Sequence, residues 1–217
     1  MITLNQGEQV TEDNDQVSAT PFNEFFDTRA FAYGLELLFK KTAGKSRGWI
    51  GYTYAKTMKH IQKHGWYYPK YDRTHTLNIV GDITLPFLKN LHFNYAVQAS
   101  SGQPFTPPIG RYNHWEVYHN TFNDEWYQNE QLLVGRKNAE RLPMYFRLDL
   151  GLKQKKSLFG FPYERYLQLI NVTNHVNPLS YQYRAKENRL TGETLGLERA
   201  AIPMFPFFFT VGYRIEL

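Results

Sequence analysis

The chain has 217 residues, with 25 basic and 20 acidic side chains and no cysteine, which excludes a disulfide framework and cysteine-held metal. The net charge of +5 is carried by scattered bases, so a nucleic-acid partner is not expected. Mean hydropathy is −0.54 and no apolar run reaches the length of about 18 residues that a membrane helix needs, while an aromatic share of 17% favours strands and interfaces.

The opening "MITLNQGEQV" has neither a basic n-region nor an apolar h-region, so no export signal is expected in it. A short strand over roughly residues 2–10 is compatible with its weak pattern. From there alternation with a period of two recurs along the chain, and helical periodicity is almost absent. In "RAFAYGLELLFKK" (29–41), Phe31, Tyr33, Leu35, Leu37 and Phe39 share a face against Ala30, Ala32, Gly34, Glu36 and Lys40, with Leu38 as the misfit. "GWIGYTYAKT" (48–57) sets Ile50, Tyr52 and Tyr54 opposite Gly51, Thr53 and Ala55. "THTLNIVGDITL" (74–85) sets Leu77, Ile79, Ile83 and Leu85 against Asn78, Asp82 and Thr84. "LHFNYAVQAS" (91–100) places Leu91, Phe93, Tyr95 and Val97 against His92, Asn94, Gln98 and Ser100.

The pattern is sharpest in "MYFRLDLGLK" (144–153), where Met144, Phe146, Leu148, Leu150 and Leu152 alternate with Tyr145, Arg147, Asp149, Gly151 and Lys153. "ERYLQLINV" (164–172) is weaker, and "PFFFTVGYRIEL" (206–217) divides into Phe207, Phe209, Val211, Tyr213, Ile215 and Leu217 against Phe208, Thr210, Gly212, Arg214 and Glu216. The connections fall into two classes. Those at 41–47, 86–90 and 157–164 are short; those at 11–28, 58–73, 101–143 and 172–205 are long, polar and aromatic-rich. The two classes alternate strictly, so an up-and-down meander would gather the long connections at one end.

That layout predicts an all-β fold: an antiparallel up-and-down transmembrane β-barrel segment of about eight strands. The rival is a soluble sandwich whose apolar faces meet inside. Strands of about ten residues suit a tilted crossing of a bilayer. Aromatic residues near the ends of the apolar faces suit an interfacial girdle, and charges on the opposite face suit a wet interior.

The ordered pieces Tyr71–Asp72–Arg73 with His75, Ser101–Gly102–Gln103–Pro104, Arg141–Leu142–Pro143 leading to Arg147–Leu148–Asp149, and Asn171–Val172–Thr173–Asn174 carry a family resemblance. From about residue 29 onward the chain resembles the C-terminal part of a TonB-dependent outer-membrane receptor. The final "TVGYRIEL" also resembles the signal read by the outer-membrane assembly machinery, although it ends on Leu217 where an aromatic is usual.

The resemblance implies that residues 1–217 form the C-terminal part of a barrel of about 22 strands, in the outer membrane of a Gram-negative cell and without its plug domain. It implies active uptake of a siderophore, cobalamin or glycan. The implied partners are outer-membrane lipid, the missing plug and barrel segment, the TonB energy-coupling complex and a small nutrient. Two other functions stay open: a stand-alone small barrel acting as an adhesin or structural protein, and a soluble carbohydrate-binding module.

"RYNHWEVYHNTFNDEWY" (111–127) is the richest candidate site. Trp115, Tyr118, Trp126 and Tyr127 are the expected ligand-contacting residues, because aromatic side chains give contact area at low entropy cost. His114, Glu116 and His119 have metal-ligand chemistry but no regular spacing, so no metal is expected there. Asp72 and His75 could form an acid–base pair, yet no nucleophile stands in a recognisable elbow; pairing of Asp72 and Arg73 with neighbours at the start of a strand is the simpler reading. Arg147 and Asp149 fit a ladder of interior charge. "NVTN" matches a glycosylation acceptor at Asn171, a role that a bacterial outer-membrane setting does not support, and 187–196 reads as turn residues. Neither cofactor nor enzymatic activity is expected.

Overall fold

The computed structural model describes residues 2–4, 25–62, 64–86, 90–119, 124–158, 161–187 and 194–215. All regular structure among them is strand: β1 (Ile2–Leu4), β2 (Phe25–Lys41), β3 (Ser46–Ile61), β4 (Gly65–Tyr67), β5 (His75–Thr84), β6 (Leu91–Ser100), β7 (Pro104–Phe105), β8 (Pro108–His119), β9 (Asp124–Val134), β10 (Glu140–Arg141), β11 (Tyr145–Leu158), β12 (Phe161–Ile170), β13 (Pro178–Glu187), β14 (Thr194–Pro203) and β15 (Phe208–Ile215). One sheet has the order β1-β2-β3-β5-β6-β11-β12-β15, with β4 added beside β3, and every neighbouring pair is antiparallel. Three ribbons, β7–β10, β8–β9 and β13–β14, stand outside it.

The register carries the sequence pattern across the sheet. Directly opposed residues of an antiparallel pair share a face, and one row runs Leu37, Tyr52, Leu77, Ala99, Phe146. Another runs Lys41, Gly48, Gly81, Tyr95, Leu150, Leu169, Phe209. The second row starts at the last residue of β2 and ends at the second residue of β15. The strands are therefore staggered, as the tilt of a barrel wall requires. β2, β3 and β11 are 17, 16 and 14 residues long, beyond the ten or so expected, because the β2–β3 hairpin continues beyond His75, the first residue of β5, and the β11–β12 hairpin beyond Leu91, the first residue of β6.

Among the described residues no second layer covers the apolar face. Leu35, Leu37, Phe39, Ile50, Phe209, Val211, Tyr213 and Ile215 are all exposed, Phe209 by 64%. Leu77, Ile79, Phe93, Leu148 and Leu150 on the same face are half-buried by their neighbours in the sheet. Leu142 is the one buried hydrophobic residue among those described, and it lies in a connection. The ribbons do not cover the face. The opposite, polar face is concave: one hollow of about 920 Å³ is lined from β2, β3, β5, β6, β11, β12 and β15 together.

Sequence and structure differ further in two places. The strand expected over roughly 2–10 is seen only as Ile2–Leu4, the rest lying outside the described residues. The long connections 101–143 and 172–205 are not plain loops: they contain the β8–β9 and β13–β14 hairpins. Residues 187–196 sit accordingly at the tip of the second hairpin, with 188–193 outside the described residues. The β8–β9 hairpin is polar on each side, so cross-strand pairing rather than an apolar face shapes it and alternation gives no signal; β13 does alternate, Leu179, Tyr181, Tyr183 and Ala185 against Ser180, Gln182, Arg184 and Lys186, but β14 does not carry the pattern on. The all-β antiparallel expectation holds; among the described residues β15 does not pair with β1 or β2, so they form an open sheet and no closed barrel.

Candidate functional site

The long connections meet at one end of the sheet, and a network of buried polar groups ties them to it. Asp72, with 1% of its side chain accessible, accepts the Thr57 N–H at 2.8 Å and an Arg141 guanidinium N–H at 2.5 Å. Arg141 also donates to the carbonyls of Asp72 (3.3 Å) and Gly102 (3.1 Å), and its guanidinium lies 4.9 Å from the Tyr68 ring centre. Gly102 passes so close to the 142 backbone that a Cβ would stand 1.6 Å from the Leu142 carbonyl oxygen. β7 and β10 thus form a base beneath the β8–β9 hairpin, fastened further by Asn138, which donates to the Tyr68 carbonyl at 2.7 Å.

A second knot joins the 171–177 turn to β11. Asn171, 1% exposed at φ 53°, donates its backbone N–H to Asp149 at 2.9 Å and its amide to the carbonyls of His175 and Phe205. The Asn177 side chain accepts from the Phe146 N–H (2.9 Å) and donates to its carbonyl (2.8 Å), taking the place of a neighbouring strand. Arg73 donates to Ser100 at 2.5 Å and covers the Tyr145 ring at 5.7 Å. Among the described residues no buried side-chain nitrogen or oxygen lacks a partner.

This arrangement decides the Asp72–His75 question. The Asp72 carboxylate is engaged by Arg141 and Thr57, whereas His75 Nδ1 lies 2.8 Å from the Tyr52 hydroxyl. The two do not form an acid–base pair, and Arg73 and Asp72 pair with neighbours as the simpler reading expects. The motif pieces quoted for the family resemblance fall into these two groups: Arg141 joins Asp72 to Gly102, and Asp149 is joined to Asn171. Asn138 and Asn177 carry equal weight and were not singled out in the sequence. The Asn177–Pro178 dipeptide was the available signal, since Asn-Pro marks a turn.

The expected ligand contacts lie on the hairpin above this base. Trp115 and Tyr118 are on β8, Trp126 and Tyr127 on β9, with Val117 opposite Trp126 and Glu116 opposite Tyr127. Their side chains lie outside the described residues, as do those of His114, Glu116 and His119. Positions 114 and 119, five apart on one strand, fall on opposite faces of β8, a poor basis for joint ligation. In the β13–β14 hairpin, burial pushes the Tyr183 phenol above its ordinary value, and Arg199 covers the neighbouring Tyr181 ring at 4.3 Å.

Charges line the polar face in pairs. Arg47 meets Asp82 at 3.1 Å, Asp82 meets His92 at 3.4 Å, and Lys153 meets Glu164 at 2.9 Å. Arg147 pairs with Asp149 two residues along the same strand, as the charge-ladder reading expects. Arg214 stands directly across from Glu164. Exposed pairs like these add little stability; they make a hydrated surface. Comparison with family models, with curated proteins and with solved structures finds no match to the chain.

Proposed function

We propose that this chain is the C-terminal segment of a TonB-dependent receptor barrel of the outer membrane, working in active uptake of a scarce nutrient such as a siderophore, cobalamin or glycan. The observation that carries the reading is the uncovered apolar face, continuous over seven staggered strands opposite a concave charged one. In water such a face is costly at roughly 25 cal/mol per Å²; against lipid it is the natural outer wall, with the charged face turned to a wet interior.

Strand direction constrains how the sheet could close. Six antiparallel steps separate β2 from β15, so both run from the long-connection end to the short-turn end. An all-antiparallel ring therefore needs an odd number of further strands between them. Among the described residues β1 pairs antiparallel with Phe25–Asp27 of β2, and one such strand or a larger odd number would both meet this count. In this reading the missing plug and remaining barrel complete the wall. The TonB complex couples energy through that plug, and Trp115, Tyr118, Trp126 and Tyr127 contact the nutrient from the outer rim.

The test is uptake by cells carrying the parent polypeptide. It should fractionate with outer membranes, and accumulation of one of the three nutrient classes should stop when the proton-motive force is collapsed. Replacing the four aromatic residues with Ala should weaken ligand binding by at least about tenfold while leaving the amount of assembled barrel unchanged. A polypeptide recovered in the soluble fraction would contradict the reading.

A further inference from the structure

The apolar face does not end abruptly at the long-connection end of β2 and β3. Above Leu35 and Tyr54 the same face continues as Tyr33 and Phe31 on β2 and as Lys56, Met58 and His60 on β3. Tyr33 stands directly opposite Lys56, Phe31 opposite Met58 and Arg29 opposite His60. Trp66, 45% exposed, packs against Phe31 at 5.2 Å and His60 at 5.1 Å, while the Lys56 ammonium stands 5.6 Å from the Tyr68 ring centre. A cationic and aromatic fringe thus caps the apolar band. Among the described side chains no carboxylate opposes it: Glu36 is on the polar face opposite Thr53, and Asp72 is held by Arg141.

We infer that this fringe is a binding site for the phosphate-bearing headgroups of the lipid that covers the apolar face. Arg29 and Lys56 lie on either side of the Phe31–Met58 pair, four strand positions apart or about 13 Å, a gap that two long basic side chains can close from both ends. Their aliphatic stems can lie along the apolar surface while the charged heads reach the headgroup level. Tyr33 and Trp66 are the ring types that settle at such an interface. A phosphate monoester gives the Arg29 guanidinium a bidentate acceptor and the Lys56 ammonium an anion to face as a point charge.

The inference rests on the membrane reading, and two reporters separate the two claims. In the first, Trp49, Trp115 and Trp126 are replaced by Phe, so that Trp66 alone reports lipid at the fringe. In the second, all four native tryptophans are Phe and Leu150→Trp reports on the middle of the apolar band. The parent polypeptide, with any tryptophan outside these 217 residues also replaced by Phe, is folded into phosphatidylcholine vesicles containing acyl-brominated phosphatidic acid or acyl-brominated phosphatidylcholine, and quenching is compared. Trp66 should prefer phosphatidic acid about tenfold. Lys56→Gln should lower that preference about fivefold, and Arg29→Gln with Lys56→Gln should abolish it. Lys156→Gln, at the opposite end of the sheet, should leave it unchanged. Quenching at Leu150→Trp without any preference at Trp66 overturns the headgroup site and leaves the membrane reading standing. Absence of quenching at both positions overturns both.

Discussion

The rim and the apolar face of this sheet are ordered by opposite means. At the rim, Asp72, Asn138, Asn171 and Asn177 are buried and each is matched by specific partners, and the buried Leu142 lies among them. On the face, large apolar side chains of β2, β3, β11, β12 and β15 stand exposed and those of β5 and β6 are half-buried, with nothing packed over them among the described residues. A soluble domain reverses this, burying its apolar residues and leaving most polar ones outside. The rim is thus a self-contained structure whose bonds can be broken one at a time. The face depends on its surroundings, and its cost or benefit changes with solvent.

The largest expected effect is therefore at the rim. Asp72→Ala strands the Arg141 guanidinium and should cost about 3–5 kcal/mol, read as a lower denaturant midpoint of the folded chain in lipid. Combining it with Arg141→Ala should cost clearly less than the sum of the two, because both remove one interaction. Purely additive losses would mean that the pair does not hold the rim.

Next comes the face. Leu150 lies midway along the apolar set of β11, and Leu150→Arg should cost about 2–4 kcal/mol in a bilayer. Phe146→Arg, at the rim end of the same strand where Asn177 holds the backbone, should be milder. Gly151→Ser faces the polar hollow, where a new Cβ meets nothing nearer than 3.6 Å, and should be mildest. In detergent-free water the penalty for Leu150→Arg should vanish, whereas that for Asp72→Ala should persist; this contrast separates the two regions most clearly.

A smaller effect sharpens the rim further. Asn171 combines three side-chain hydrogen bonds with a left-handed backbone. Both Asn171→Gly and Asn171→Ala lose the bonds, but only Ala is strained at that φ. Alanine should be worse than glycine by about 1–2 kcal/mol. Equal losses would show that the side-chain bonds alone matter there.

The face was legible in the sequence because alternation records it directly: the expected sets on 29–41, 74–85 and 144–153 reappear in register as rows across the sheet. The alternation of short and long connections was legible for the same reason. The hairpin in 101–143 was not, since β8 and β9 carry polar residues on both sides and period-two patterning needs one apolar side; in 172–205 only β13 alternates, and β14 gives it no patterned partner. The rim network was half legible. Its residues stood out as ordered short motifs, but Asp72 and Arg141 are 69 positions apart, and no local pattern says that one charge neutralises the other.

The central claim is that even-numbered residues of β11 face lipid and odd-numbered ones face water. The chain has no cysteine, so single cysteines can be placed at each position from 144 to 153 without background. In phosphatidylcholine vesicles, cysteines at 146, 148, 150 and 152 should resist a water-soluble maleimide and contact a lipid-phase quencher. Those at 147, 149, 151 and 153 should react with the maleimide and escape the quencher. Protection of the even positions that persists without lipid, or reactivity with no alternation, would contradict the account.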